Sequence, residues 1–177
     1  MLLGISGSLR RDSHNRKLIR EAGRIYGTDD FIEADIRFPL FDADLQAEHG
    51  IPEVVKTLVA QIEAAEAVII STPEYNKALS GVLKNALDWV SRAEGNPWRD
   101  TPVAIMSATA GRSGGERAQN SLRLVISPFG PKLLTGREVL IAQAKDQFDA
   151  DGRLSNDRYR AALETQMADL KKLVGQF

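Results

Sequence analysis

Apolar positions along the chain fall into two alternating patterns. Residues 1–6 (MLLGIS), 67–72 (AVIIST), 102–108 (PVAIMSA) and 138–142 (EVLIA) are short, nearly continuous apolar runs, and residues 31–36 (FIEADI) form another segment of strand length. Such runs suit strands in the middle of a parallel sheet, covered on both faces. Between them, apolar residues recur at helical spacing. Leu18, Ala22 and Ile25 share one face of residues 13–26, with Ser13 placed as an N-cap. Val54, Val55, Leu58, Val59 and Ile62 do the same in a helix opened by Pro52. Val82, Leu83, Ala86, Leu87 and Val90 mark the core face of residues 80–92. A further helix is expected over 115–126, and Tyr159, Leu163, Met167 and Leu170 line a closing helix over 157–174. Residues 37–51, rich in Asp and Pro, read as a loop.

This alternation predicts an α/β fold, five strands in an open, doubly wound parallel sheet with helices on both faces. At 177 residues, without repeats or linkers, one domain spanning 1–177 is expected. In such sheets ligands bind beyond the carboxyl ends of the strands. Function should therefore lie in the loops after the first, third and fourth strands.

Composition narrows the chemistry. The chain is 43% hydrophobic and 27% charged, as in soluble globular proteins. A net charge of −1 gives no bulk attraction to nucleic acid or anionic lipid. No apolar run approaches the ~20 residues of a membrane span, and no leader pattern precedes the first strand. Cysteine is absent, which excludes disulfides, thiolate catalysis and metal–thiolate sites and suits a cytoplasmic protein. With His14 and His49 the only histidines, one chain cannot assemble a multi-histidine metal site. Redox chemistry here would need an organic cofactor.

The first loop, SGSLRRDSHN at residues 6–15, gathers Ser6, Ser8, Arg10, Ser13 and Asn15 where a helix begins. Free backbone N–H groups and the positive end of the helix favour an anion there. Hydroxyls and an amide add neutral donors, and Arg10 offers a fork to phosphate oxygens. The plainer alternative is Ser13 as a simple cap among solvated arginines. GISGSL is not GxGxxG, and no glycine-Lys-Ser/Thr ending is present, so a terminal phosphate monoester suits the loop better than a pyrophosphate.

After the third strand, Pro73 stops the ladder and Glu74, Tyr75 and Asn76 stand at the mouth of the sheet. A ring and an amide there can flank a planar ligand and bond its polar edge, or form a polar turn with the tyrosine packed on a neighbour. After the fourth, SATAGRSGGER at 107–117 lets backbone approach a ligand, or is a flexible connection. Lys84, Asp88 and Arg92 are spaced for two surface ion pairs, and Trp89 suits either core or a subunit contact. DADLQ at 42–46 and DQFDADGRLSND at 146–157 lack the ligand pattern of a metal loop and read as turns.

Together GSLRRDSHN, PEYN and GVLKNALDW resemble the NADPH-dependent FMN reductase family, over roughly two thirds of the chain. The resemblance implies a flavodoxin-like fold with strand order 2-1-3-4-5 and FMN as cofactor. Ser8, Arg10, Ser13 and Asn15 would hold its phosphate. Pro73, Glu74, Tyr75 and Asn76 would line the ring and ribityl chain, and Thr109 and Gly111 would approach the pyrimidine edge. Lys77 departs from the family pattern, either placing a cation near the ring or pointing to solvent, and SATAG replaces a more serine-rich loop. NADPH or NADH would pass hydride to flavin N5, and electrons would go on to quinones, flavin, ferric chelates, chromate or azo compounds. No catalytic side chain is implied. A homodimer or homotetramer is expected, with the helix bearing Trp89 as an interface element. The rival reading is a flavodoxin-type electron carrier, against which near-neutral charge and Arg10 both speak. A non-redox phosphate-binding module would leave PEYN without a purpose.

Overall fold

The computed structural model describes residues 1–176. Strands β1 (Leu2–Ser6), β2 (Phe31–Glu33), β3 (Ala67–Ser71), β4 (Pro102–Ala108) and β5 (Lys132–Leu133) form a parallel sheet in the order β2-β1-β3-β4-β5. Around it run α1 (His14–Tyr26), α2 (Ala43–His49), α3 (Glu53–Ala64), α4 (Gly81–Val90), α5 (Glu116–Ile126) and α6 (Asp157–Val174). Successive strand residues face opposite sides. Leu3, Ile5, Val68, Ile70, Val103 and Ile105 pack with α3, α4 and α5, whereas Leu2, Ala67, Ile69, Ala104 and Met106 pack with α1 and α6. The expected doubly wound sheet and its strand order are therefore present.

The outer strand departs from expectation. The run at 138–142 does form a strand, β6 (Val139–Ile141), but it pairs only with Met106–Ala108 at the carboxyl end of β4. The two-residue β5 takes the other end, beside Pro102 and Val103. Between them the Ile105 carbonyl accepts instead from the buried Gln166 amide of α6 at 3.1 Å. A side chain thus fills a gap in the backbone ladder, as buried carbonyls require.

Two further differences have local causes. FIEADI is a strand only over Phe31–Glu33, with one more ladder bond from Ala34 N to the Gly4 carbonyl at 2.9 Å. The loop at 37–51 contains α2, which has no buried residue and so no apolar stripe to reveal it. Its signal is its cap: the Asp42 carboxylate accepts from Asp44 N at 2.9 Å, so DADLQ opens a helix.

Trp89 is buried within the chain. Its Nε1 donates to the Pro39 carbonyl at 2.8 Å, and its ring meets Phe41 edge-on with centroids 5.1 Å apart. Asn85 fixes the same strap, donating to Pro39 O at 2.9 Å and accepting from Phe41 N at 2.8 Å. Lys84 pairs with Asp88 at 2.6 Å as expected, but Arg92 lies over the Phe41 ring, 5.6 Å from its centroid. Among the described residues no helix is long and apolar enough to cross a membrane.

Candidate active site

The first loop is pinned at its root. Gly7 N donates to Ser71 O at 2.8 Å, and the Ser80 hydroxyl donates to Gly7 O at 2.6 Å. Ser13 is the N-cap of α1, its Oγ accepting from Asn15 N at 3.2 Å and Arg16 N at 3.4 Å. That cap uses the oxygen's lone pairs and leaves its proton free to donate. Asn15 is buried and works across the sheet. Its Nδ2 donates to Ala108 O at 2.9 Å, while its Oδ1 accepts from the Ser71 hydroxyl at 2.7 Å and Ala108 N at 3.0 Å. It joins the ends of β3 and β4 to the start of α1.

Beyond these strand ends lies a cavity of about 340 Å³, within the ~300–1,000 Å³ usual for small-molecule sites. Of the expected residues it brings together Ser8, Arg10, Ser13, Asn15, Pro73, Glu74, Tyr75, Thr109 and Gly111. Asn76 and Lys77 do not line it. Tyr75 and Ala78 exchange two backbone hydrogen bonds of 3.1 Å, and Asn76 and Lys77 between them have φ of 51° and 65°. They are the two central residues of a tight hairpin turn, where both positions need positive φ. Lys77 is exposed at its tip.

Glu74 serves two walls. It lines the cavity, yet its Oε2 also accepts from Ala118 N at 3.3 Å. Helix α5 starts after Gly115, which has no side chain to cap it, so a carboxylate from the β3–α4 loop satisfies one of its free N–H groups. In the Gly-rich loop the backbone freedom is needed at Gly115. Its φ is 95°, and a Cβ there would sit 2.8 Å from the Ser107 side chain. Gly111, by contrast, opens onto free space. Thr109 is held by backbone bonds from its N to Ile141 O at 3.0 Å and from Ala144 N to its carbonyl at 2.9 Å.

Sequence reasoning missed His14, Ala108, Ala110, Ser113 and Lys145 in the cavity wall. Lys145 comes from a single 3-10 turn, Ala144–Asp146, too short to show a pattern in the sequence. His14 was within reach, since it follows the capping serine. Its ring stacks on Phe148, with centroids 5.7 Å apart and planes 14° from parallel. Its Nδ1 is buried without a hydrogen-bond partner. Burial, then the charges of Lys17 and Arg10, hold its pKa below the usual histidine value.

Charge separates this cavity from its neighbour. Across the first loop lies a second hollow of about 190 Å³, lined by Arg16, Glu33, Asp35 and Arg37. There Arg16 and Arg20 both bind Glu33, at 2.5 and 2.6 Å, and Arg37 pairs with Asp35 at 3.0 Å. Glu33 ends β2, near where a dinucleotide fold holds ribose hydroxyls, but two arginines occupy it. In the larger cavity Arg10 has no ion-pair partner and the Ser8 hydroxyl no hydrogen bond among the described residues. An uncommitted guanidinium, hydroxyls, an imidazole and the start of α1 fit a phosphate monoester.

Residues 1–146 match the family model for NADPH-dependent FMN reductases. The chain is 42% identical over 172 residues to an NAD(P)H-dependent FMN reductase of Pseudomonas aeruginosa, covering 96% of this chain and 92% of that protein. It is 36% identical over 167 residues to a 2-hydroxy-1,4-benzoquinone reductase of a Burkholderia species, covering 92% and 90% respectively. A solved structure of a flavoenzyme NAD(P)H:(acceptor) oxidoreductase from Paracoccus denitrificans superposes with a TM-score of 0.88 at 30% identity, over 99% of this chain and 97% of that one.

Proposed function

The chain belongs to the NADPH-dependent FMN reductase family, and from that premise we propose that it is an NAD(P)H-dependent oxidoreductase holding FMN in the 340 Å³ cavity and reducing quinone-like small molecules. The observation that carries this reading is the uncommitted Arg10 and Ser8 facing a mouth walled by Pro73, Tyr75 and the 109–113 loop. Ser8, Arg10 and Ser13 hold the phosphate. Asn15 ties the strand ends beneath it through its three hydrogen bonds. Tyr75 and the 109–111 backbone flank and orient the ring. When bound, FMN supplies the redox chemistry, taking hydride from a nicotinamide and returning electrons to an acceptor. The residues orient and tune, and none acts as nucleophile, acid or base.

The functional protein is a homodimer in this reading. Tyr75 is 54% exposed at the cavity lip, and it also borders an apolar groove of about 430 Å³ with Leu9, Ile36, Phe38 and Val82. Leu40, 81% exposed, stands on the same groove at the crest of the strap that Asn85 and Trp89 pin down. A rigidly presented apolar side chain beside an apolar groove suits a second subunit. This face includes Asn85 of α4 but not Trp89, which supports the surface from within.

Anaerobic titration of the FMN-loaded protein with NADPH, followed by flavin absorbance, tests the activity. Bleaching that benzoquinone reverses is expected. Flavin that stays oxidised would move the protein to the electron carriers, and failure to retain FMN would overturn the site.

A further inference from the structure

We propose that His14 is an additional phosphate-binding group of this cavity, donating from Nε2, and that its charge is coupled to cofactor capture so that binding takes up a proton. This rests on the assignment of the phosphate to the Arg10–Ser13 end of the cavity.

The geometry singles out this ring. His14 is the first residue of α1, directly after the capping serine, and it lines the cavity beside Arg10 and Ser13. Phe148 covers one face in a near-parallel stack and fixes the plane of the imidazole. Nδ1 is buried with no hydrogen-bond partner among the described residues, so a proton there costs more than a bare lone pair and the unliganded ring is better singly protonated. The neutral ring therefore carries its proton on Nε2, the nitrogen that is not enclosed. An oriented N–H donor with no partner among the described residues, at the positive end of a helix, fits a phosphate oxygen.

The surrounding charges give the coupling its sign. Arg10 from the loop and Lys17 from α1 act on the ring, Lys145 comes from the segment carrying Phe148, and Glu74 stands in the facing wall. Glu74 is turned toward the start of α5, accepting from Ala118 N, and the charges that bear on the ring are those of Lys17 and Arg10. In the empty cavity burial first, then Lys17 and Arg10, lower the ring's pKa and favour its neutral form. A phosphate carrying about −1.5 to −2 charges reverses the local field and raises the pKa, so that the added proton sits on Nδ1, held by the anion's charge and not by a hydrogen bond of its own. Between the free and bound values, affinity rises as pH falls. Above the bound value the gain is absent and below the free one it is complete, so in neither range does binding take up a proton. The second ionisation of the phosphate, near pH ~6, runs the other way, so the test compares variants and ligands rather than one pH curve.

Only two histidines are present, so the imidazole NMR signals of His14 and the exposed His49 can be followed separately through a pH titration. The titration is run on apoprotein, with FMN and with riboflavin, which lacks the phosphate. FMN should raise the His14 pKa and riboflavin should not. His14→Phe keeps an aromatic ring on Phe148, and His14→Gln is a second variant should the first fold poorly. Each should weaken FMN binding about tenfold near pH 6.5 while leaving riboflavin binding unchanged. An unmoved His14 pKa in a protein that binds FMN, or an equal shift with riboflavin, overturns the role of His14 alone. No discrimination between FMN and riboflavin by either wild type or Arg10→Ala overturns the phosphate site beneath it.

Discussion

Asn15 and Arg10 lie five positions apart, in the first turn of α1 and in the loop before it, and do opposite work. Asn15 is 3% exposed, and all three of its side-chain hydrogen bonds hold protein to protein. Asn15→Ala strands the Ala108 N–H and carbonyl at the end of β4, and a loss of about 3 kcal/mol in urea-denaturation stability is expected. Arg10 is exposed and makes no ion pair within the described residues. Arg10→Ala should leave the urea midpoint unchanged and weaken FMN binding about tenfold or more, read by flavin fluorescence titration. Equal effects of the two changes on stability would show that Arg10 has a structural role as well. The sequence displayed both side chains as polar donors near a helix start. It did not display that one amide would be used up by strands β3 and β4, because those contacts span 56 and 93 residues of chain.

At the scale of elements, the turn at 75–78 carries a cost of its own. Lys77 sits at φ 65°, where a side chain costs roughly 1–2 kcal/mol and glycine nothing. Lys77→Gly should stabilise the protein by up to about 1 kcal/mol, the remainder being offset by glycine's greater freedom when unfolded. Because Lys77 lies outside the cavity wall, Lys77→Met should leave the flavin midpoint potential where it was. A lowered potential would restore the reading in which this cation sits near the ring. Period and length were enough to reveal β1, β3, β4 and the five helices with an apolar face. They were not enough for α2, which buries nothing, or for β5, whose two residues present no pattern at all. Asn-Lys is likewise a weak turn signal, and only the backbone bonds on either side identify it.

The whole molecule turns one face outward that a lone chain would be expected to cover. Leu40 is held out on a strap fixed by two side chains of α4, so its exposure is built in and does not come from slack. Light scattering should give twice the chain's mass for the wild type and a smaller species for Leu40→Asp. An unchanged mass for the variant would move the interface elsewhere, and a monomeric wild type would remove it. The general plan, a doubly wound sheet with function at its strand ends, was legible from the alternation of apolar periods alone. The closing of the cavity was not, because His14 meets Phe148 across 134 positions of sequence.

That same stack has a consequence for how the protein is made. The ribosome delivers Ser8, Arg10 and His14 more than 130 residues ahead of Lys145 and Phe148. Until these arrive the pocket lacks one wall, so a nascent chain carries the phosphate-facing residues but no closed cavity around its cofactor. Full enclosure of the flavin on this account waits for the finished fold. A cell short of flavin would on this account build up a folded, empty stock that awaits charging when supply returns.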